Sequence, residues 1–257
     1  MKNFVAEIPG KIVFGTGCVD TVGEYAAHFG KRAAIIAGKS VRPEKTALLA
    51  HIQALLAERG VESFVYAKIN ENPSIPVVDE GVDFARAHAC DLVIGVGGGS
   101  SLDSAKLIAL LCASGGAVRD YIPGGKCAGK KAEELRTLPV IAVTTTAGTG
   151  SEATPWAVVT DPETGKKPGL GWPPLTYPAV AIVDPALTLS MPRSVTVNTG
   201  IDVFFHAYES YVSLSANDFT DILAVRAMEL TAENLGKCLE APQDIEARSA
   251  MSLANLI

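Results

Sequence analysis

The sequence contains no run of about 18 apolar residues, so no segment reads as a membrane-spanning helix. It has no Lys/Arg-rich block, and its formal net charge is −6. A surface of that sign disfavours nucleic acid as a partner. Five cysteines stand at 18, 90, 112, 127 and 238, without any CxxC spacing. An odd, scattered set excludes a disulfide framework or a thiolate metal site and fits reduced thiols in a cytoplasmic protein. The opening stretch, MKNFVAEIPGKIVFGTG, has no apolar segment of signal-peptide length before Pro9 and Gly10. Histidine is scarce: there are four, and none follows His206. Internal repeats and low-complexity segments are absent as well.

What is present is ordinary globular composition, 48% hydrophobic and 19% charged over 257 residues. That length gives one large domain or two modest ones. Up to residue 187, short apolar runs alternate with helical spacing. RAAIIAG (32–38), VESFVYA (61–67), DLVIGV (91–96) and LPVIAVTT (138–145) read as strands. Residues 43–60, 75–90 and 101–113 read as helices, with Gly60 a stop signal for the first. The alternation predicts an α/β fold, a Rossmann-like parallel sheet with helices on both faces, over residues 1–187. From 188 the strand signals stop. Residues 199–213, 217–236 and 242–257 read as helices, which predicts a second, all-helical domain over 188–257.

The strand at 91–96 runs directly into Gly97, Gly98 and Gly99, and then into a helix. Glycines let a backbone come close to a bulky anion, and the helix behind them offers free N–H groups and a positive dipole end. A phosphate or pyrophosphate suits that arrangement at the carboxyl end of a sheet strand. Ser100 and Asp103 also match an N-capping box, so the pair reads equally well as a helix start. The dinucleotide fingerprint GxGxxG is not met, because Ser100 occupies the third glycine position. A phosphate-binding Walker loop is not met either: Gly38-Lys39-Ser40 resembles its end, but Ala33 stands where its first glycine belongs.

A second loop, TTTAGTGSEAT (144–154), also follows an apolar strand. Its Thr145, Thr146 and Thr149 are small hydroxyl donors beside Gly148 and Gly150. Such a loop can lie against a cofactor, or it can be a polar surface turn. Asp202 and His206 are one helical turn apart, with Cβ atoms roughly 5–6 Å from each other. A carboxylate oxygen and an imidazole nitrogen are apt ligands for Fe²⁺ or Zn²⁺. Thr199 and Asp202 also have capping-box spacing, and His206 among Phe204, Phe205 and Tyr208 also reads as a packed helix histidine.

Four segments, GGGSSLDSAK (97–106), TTTAGTGSEAT (144–154), AIVDPALTLSMP (181–192) and TGIDVFFHAYESYVS (199–213), occur in the order typical of the iron-containing alcohol dehydrogenase family. The early VFGTG and NENPSI (70–75) are similar to that family's opening segments. The resemblance spans nearly the whole chain. It implies an N-terminal dinucleotide-binding domain, a C-terminal helical domain and an active site in the cleft between them. It also implies hydride exchange between a small alcohol or aldehyde and a nicotinamide, beside a divalent metal, usually iron and sometimes zinc. By that match Gly97, Gly98, Gly99 and Ser100 cradle the pyrophosphate with Asp103 behind them. Thr145, Thr146 and Thr149 line the cofactor, Lys167 reaches a ribose, Asn72 belongs to the cofactor set, and Asp202 and His206 are two of four metal ligands. Family members commonly pair through the α/β domain, so a homo-oligomer is expected.

Two positions depart from the family pattern. Many members place an Asp after the first strand, where it accepts hydrogen bonds from the adenosine ribose; here the position is Gly38. With that carboxylate absent, Lys39, Ser40 and Arg42 are placed to bind a 2′-phosphate, which predicts NADP over NAD. The second departure concerns the two later histidine ligands that the resemblance implies. No histidine follows His206, so the expectation is a fragment of a longer dehydrogenase. Three readings stay open: a metal-dependent alcohol dehydrogenase or aldehyde reductase, a nucleotide-binding module without catalysis, and an enzyme of the glycerol dehydrogenase or dehydroquinate synthase kind.

Overall fold

The structure, a computed structural model, describes residues 10–257; the opening residues 1–9, read above for targeting signals, lie outside them. Six strands form one parallel sheet: β1 (Lys11–Phe14), β2 (Arg32–Gly38), β3 (Glu62–Ile69), β4 (Leu92–Gly97), β5 (Val140–Thr144) and β8 (Val180–Val183), in the order β1-β8-β5-β4-β2-β3. A small antiparallel pair, β6 (Ala157–Val158) and β7 (Gly169–Leu170), stands apart. Parallel strands need crossovers, and these are helical: α2 (Pro43–Glu58) joins β2 to β3, α3 (Ile75–Ala87) joins β3 to β4, and α4 (Gly99–Ser114) joins β4 toward β5. The helix α1 (Val22–Phe29) lies between β1 and β2.

Strand alternation sorts the core into two layers. On β2, Ala34 and Ile36 pack with Val78 and Val82 of α3 and Ile108 of α4. Their neighbours Ala33 and Ile35 pack with Val22 of α1, Ile52 and Leu56 of α2, and Ile94 of β4 on the opposite face. Both faces of the sheet are therefore covered, which is why these strands read as unbroken apolar runs. Gly60 acts as expected. At φ +69 it follows α2, its N–H donates to the Ala57 carbonyl (2.9 Å), and the Val61 N–H donates to that of Leu56 (2.9 Å).

After β8 come only helices: α5 (Arg193–Val212), α6 (Asp218–Glu240) and α7 (Ile245–Leu256). Asn217 caps α6, its Oδ1 accepting from the N–H groups of Phe219 (3.1 Å) and Thr220 (3.3 Å). Asp244 caps α7 in the same way. α5 starts six residues before the expected 199, so Thr199 is an interior residue whose hydroxyl donates to the Val195 carbonyl (2.9 Å); it caps nothing. Gly200 lies where α5 meets α6, and a Cβ there would sit 2.4 Å from Leu235 Cδ1. Phe205 on α5 and Ile222 on α6 remain 53% and 71% exposed. Among the described residues no helix is long and apolar enough to cross a membrane.

Ile94, fully buried at the sheet centre, tests the packing. Ile94→Ala is expected to lower unfolding free energy by about 2–5 kcal/mol in urea titrations. A midpoint equal to the parent's would mean the two-layer core is wrong at its centre.

Candidate functional site

Between β2 and β4 the chain reverses its direction of progress across the sheet: β3 lies outward of β2, and β4, β5 and β8 lie on the other side. Diverging crossovers leave a crevice at the carboxyl ends of such a strand pair. A cavity of about 560 Å³ occupies this position. Gly38 and Ser40 line it from the β2 side, Gly97, Gly98 and Ser101 from β4 and α4, and Thr145 and Thr146 from beyond β5. Ala186, Leu187, Ser190 and Gln243 close it from the segments after β8 and α6.

The glycine turn is tight for identifiable reasons. Gly97 adopts φ +142, and a Cβ on it would lie 2.7 Å from Ser101 Oγ. A Cβ on Gly98 would lie 3.0 Å from Thr146 Oγ1, and one on Gly99 2.7 Å from Thr149 Oγ1. The turn is thus pressed between the first turn of its own helix and the second loop, to which Gly97 is tied by a bond from the Thr145 N–H (3.0 Å). The 16 residues of α4 begin at Gly99 with no side-chain cap, leaving its N-terminal N–H groups beside the cavity. The capping-box reading of Ser100 and Asp103 is therefore excluded.

Asp103 instead turns away into a buried network. It accepts from Ser151 Oγ (2.5 Å) and from the Val158 N–H (2.9 Å). Lys106, one turn further along α4 and 2% exposed, donates to Ser151 Oγ (2.8 Å) and to the Trp156 carbonyl (2.7 Å), with Asp103 Oδ1 at 3.7 Å. Burial lowers the Lys106 ammonium to about 8, against the pull of Asp103 and Glu152. Glu152, 1% exposed, accepts from Asn255 Nδ2 (2.6 Å), while Asn255 Oδ1 accepts from the Gly150 N–H (3.0 Å).

The second loop has two sides. Thr145 and Thr146 face the first cavity; Gly148, Thr149, Gly150, Thr154 and Trp156 line a second cavity of about 470 Å³. His206, Val203, Ala207, Ser210 and Asn255 complete much of that second wall. The loop glycines serve contact with helices. A Cβ on Gly148 would lie 2.6 Å from Thr199 Cβ, and Gly150, at φ +60, lies against the Asn255 carbonyl.

The sequence-derived candidates divide accordingly. Gly38, Ser40, Arg42, Gly97, Gly98, Thr145 and Thr146 converge on the first cavity. Thr149 and His206 line the second. Lys39, Gly99, Ser100, Asp103, Asn72 and Lys167 line neither; Lys167 Nζ donates to Asn72 Oδ1 (2.8 Å). Sequence reasoning missed Lys45 and Glu44, which enter the first cavity from the first turn of α2. Lys45 Nζ donates to the carbonyls of Gly38 and Ser40 (the latter at 2.8 Å), and burial together with Arg42 lowers its pKa. Its position one turn beyond Arg42 was the available signal.

Asp202 Oδ1 and His206 Nε2 stand 3.7 Å apart on adjacent turns of α5, about half exposed. Their chemistry suits a divalent metal, but among the described residues no third His, Cys, Asp or Glu joins them in a cluster that could hold one. A closed Fe²⁺ or Zn²⁺ site takes about four donors. The residues present therefore do not complete a metal site.

The sequence pattern of the iron-containing alcohol dehydrogenases matches residues 9–185, and that of the C-terminal part of the same family matches 196–257. The chain belongs to the iron-containing alcohol dehydrogenase family. It is 39% identical to the NAD-dependent methanol dehydrogenase of Bacillus methanolicus, over 99% of this chain and 64% of that protein. It is 36% identical to the choline dehydrogenase of Bacillus subtilis (strain 168), over 100% of this chain and 62% of that one. An archaeal halo-thermophilic alcohol dehydrogenase from a Red Sea brine pool superimposes with a TM-score of 0.91 at 38% identity, over all of this chain and 64% of the other. The chain thus spans less than two thirds of the length of these family members.

Glu152 allows a test of the buried network. Burial favours its neutral form and pushes its carboxyl up to about 7 from 4.5, with Lys106 opposing. Between those values the folded chain keeps a proton that the unfolded chain releases, so this group removes stability as pH rises from about 4.5 to about 7. Glu152→Gln has no such titration. Its unfolding free energy relative to the parent should rise across that window by up to about 3 kcal/mol. Urea titrations at the two ends of the window check this, and an unchanged difference between them contradicts it.

Proposed function

We propose that this chain is the dinucleotide-binding part, with the start of the helical part, of a metal-dependent alcohol dehydrogenase or aldehyde reductase. The observation that carries the reading is the cavity at the carboxyl ends of β2 and β4, walled by a glycine turn so close to Ser101 and Thr146 that a Cβ at 97 or 98 would strike them. Its volume falls within the roughly 300–1,000 Å³ of small-molecule sites. We read residues 1–187 as the α/β domain and 188–257 as the beginning of the helical domain.

In this reading a nicotinamide dinucleotide supplies the hydride acceptor or donor. Gly97, Gly98 and the free N–H groups of α4 hold its pyrophosphate, as helix N-termini hold anions generally. Thr145 and Thr146 donate to it from the facing loop, and Leu187 gives an apolar surface. Small primary alcohols, diols and their aldehydes fit the second cavity, where Val203, Ala207, Ala224 and Trp156 stand beside the polar Thr149, Ser210 and His206. Asp202 and His206 supply a carboxylate and an imidazole on the flank of this space. In a completed site they would be two of the ligands of Fe²⁺, or of Zn²⁺, a Lewis acid toward the substrate oxygen. A second reading, dinucleotide binding without turnover, is favoured for this chain by that two-donor set.

The adenosine end supports NADP over NAD. No carboxylate stands at 38, and Arg42 and Lys45 bring two cations into the cavity against the single carboxylate of Glu44. The methanol dehydrogenase relative is named for NAD, so the preference rests on these side chains alone. Pairing through the α/β layer, as the family resemblance implies, completes the proposed assembly.

Fluorescence titration should show uptake of both reduced dinucleotides, NADPH the tighter. Arg42→Ala should weaken NADPH roughly 10- to 100-fold, as expected for a lost charged hydrogen bond, and leave NADH nearly unchanged. A parent chain that prefers NADH would defeat the NADP assignment. Calorimetric titration with Zn²⁺ should give an affinity far short of the roughly 10–16 kcal/mol of structural zinc sites and abolished by His206→Ala. Tight binding that survives that substitution would place the metal elsewhere.

A further inference from the structure

The wall shared by the two cavities is held from behind by one side chain of the last helix. Asn255 on α7 uses both ends of its amide on the second loop: Oδ1 accepts from the Gly150 N–H (3.0 Å), and Nδ2 donates to Glu152 Oε1 (2.6 Å). Gly150 is in the left-handed region, at φ +60, and Glu152 is 1% exposed, so neither contact is an incidental surface pairing. The loop is otherwise fixed from the sheet side, by Thr145 to Gly97 and by Ser151 to Lys106 and Asp103. Between these anchors run Thr145 and Thr146, which face the first cavity, and Thr149, which faces the second. Asn255 itself lines the second cavity. It is the one side chain with hydrogen bonds to this loop that comes from the helical region, among the bonds described.

We propose that Asn255 and Glu152 are positioning residues, a two-ended amide clamp through which α7 sets the loop's height and so the grip of Thr145 and Thr146 on the dinucleotide. The proposal rests on the dinucleotide reading of the first cavity. Neither residue lines that cavity, so their reach to Thr145 and Thr146 runs through the loop. Loss of the amide frees the Gly150 N–H and leaves the buried Glu152 oxygen without its Asn255 donor. The turn then samples other heights, and a fixed array of donors becomes a mobile one.

The test uses the whole chain, NADPH as probe, and hydrogen exchange at the Gly150 amide. Asn255→Ala should raise the NADPH Kd about tenfold while the Gly150 amide exchanges faster. Asn255→Asp keeps an acceptor for Gly150 but above about pH 8 sets a carboxylate against that of Glu152, so at that pH it should weaken NADPH as well, with circular dichroism confirming that the variant is folded. Glu152→Gln, which keeps the acceptor oxygen, should bind NADPH within about twofold of the parent, whereas Glu152→Ala should not. The Asn255→Ala, Glu152→Ala double variant should lose little beyond either single change, as coupled neighbours do. Folded Asn255→Ala and Asn255→Asp chains that bind NADPH as the parent does would overturn the clamp and leave the cavity reading intact. A parent chain that takes up no NADPH would overturn both.

Discussion

Burial of the Lys106 ammonium obliges several groups to stand where they do. At 2% exposure this charge has almost no water, and an unpaired buried cation costs several kcal/mol. Its partners are a carboxylate from its own helix, Asp103, and two groups from the distant segment 151–156, the Ser151 hydroxyl and the Trp156 carbonyl. The segment is held against α4 because the ammonium must be satisfied. Held there, it places Thr146 and Thr149 close against Gly98 and Gly99. The glycine turn and the second loop are thus one unit whose fixed point is a charge that neither cavity touches.

That unit explains two different uses of glycine in two loops that meet. At 97 and 98 the missing side chains let the turn close against the start of its own helix and against the second loop, at Ser101 and Thr146. At 148 and 150 they let the loop backbone meet α5 and α7, with Thr199 and the Asn255 carbonyl as the nearest obstacles. In one place the volume is taken by the turn's own helix and the second loop; in the other it is filled by a neighbouring helix. Composition is the same in both, and only the surroundings tell them apart.

This difference marks what the sequence could disclose. The long periodic segments were legible: β2, α2, β3, α3, β4, α4 and β5 fall on the apolar runs and helical spacings read for them, because burial on both faces leaves an unbroken hydrophobic signature. The four-residue strands β1 and β8 were not, since KIVF and VAIV are too short to carry a period. The local capping patterns at Ser100 and Thr199 misled for a different reason. Each helix starts elsewhere, at Gly99 and Arg193, and tertiary partners claim the side chains: Ser151 and Val158 bind Asp103. Of the candidate site, the glycines and threonines were readable as loop chemistry, and Lys45 was signalled by its place one turn beyond Arg42, but Gln243 was not legible, because its place in the cavity depends on how the turn before α7 packs.

A single loop walling both cavities has an energetic consequence. Thr145 and Thr146 on one side and Thr149 on the other belong to one short loop packed at Gly148 against Thr199, so ordering one side bears on the other. In the proposed reading, dinucleotide uptake and substrate placement are then coupled, and coupling between two binding events is equal in both directions. The helical region takes part in that coupling through Gly148 against α5 and Asn255 against Gly150 and Glu152. The two cavities are therefore joined: the first lies at the sheet's strand ends, the second against the helices, and their shared wall is fixed by a buried lysine.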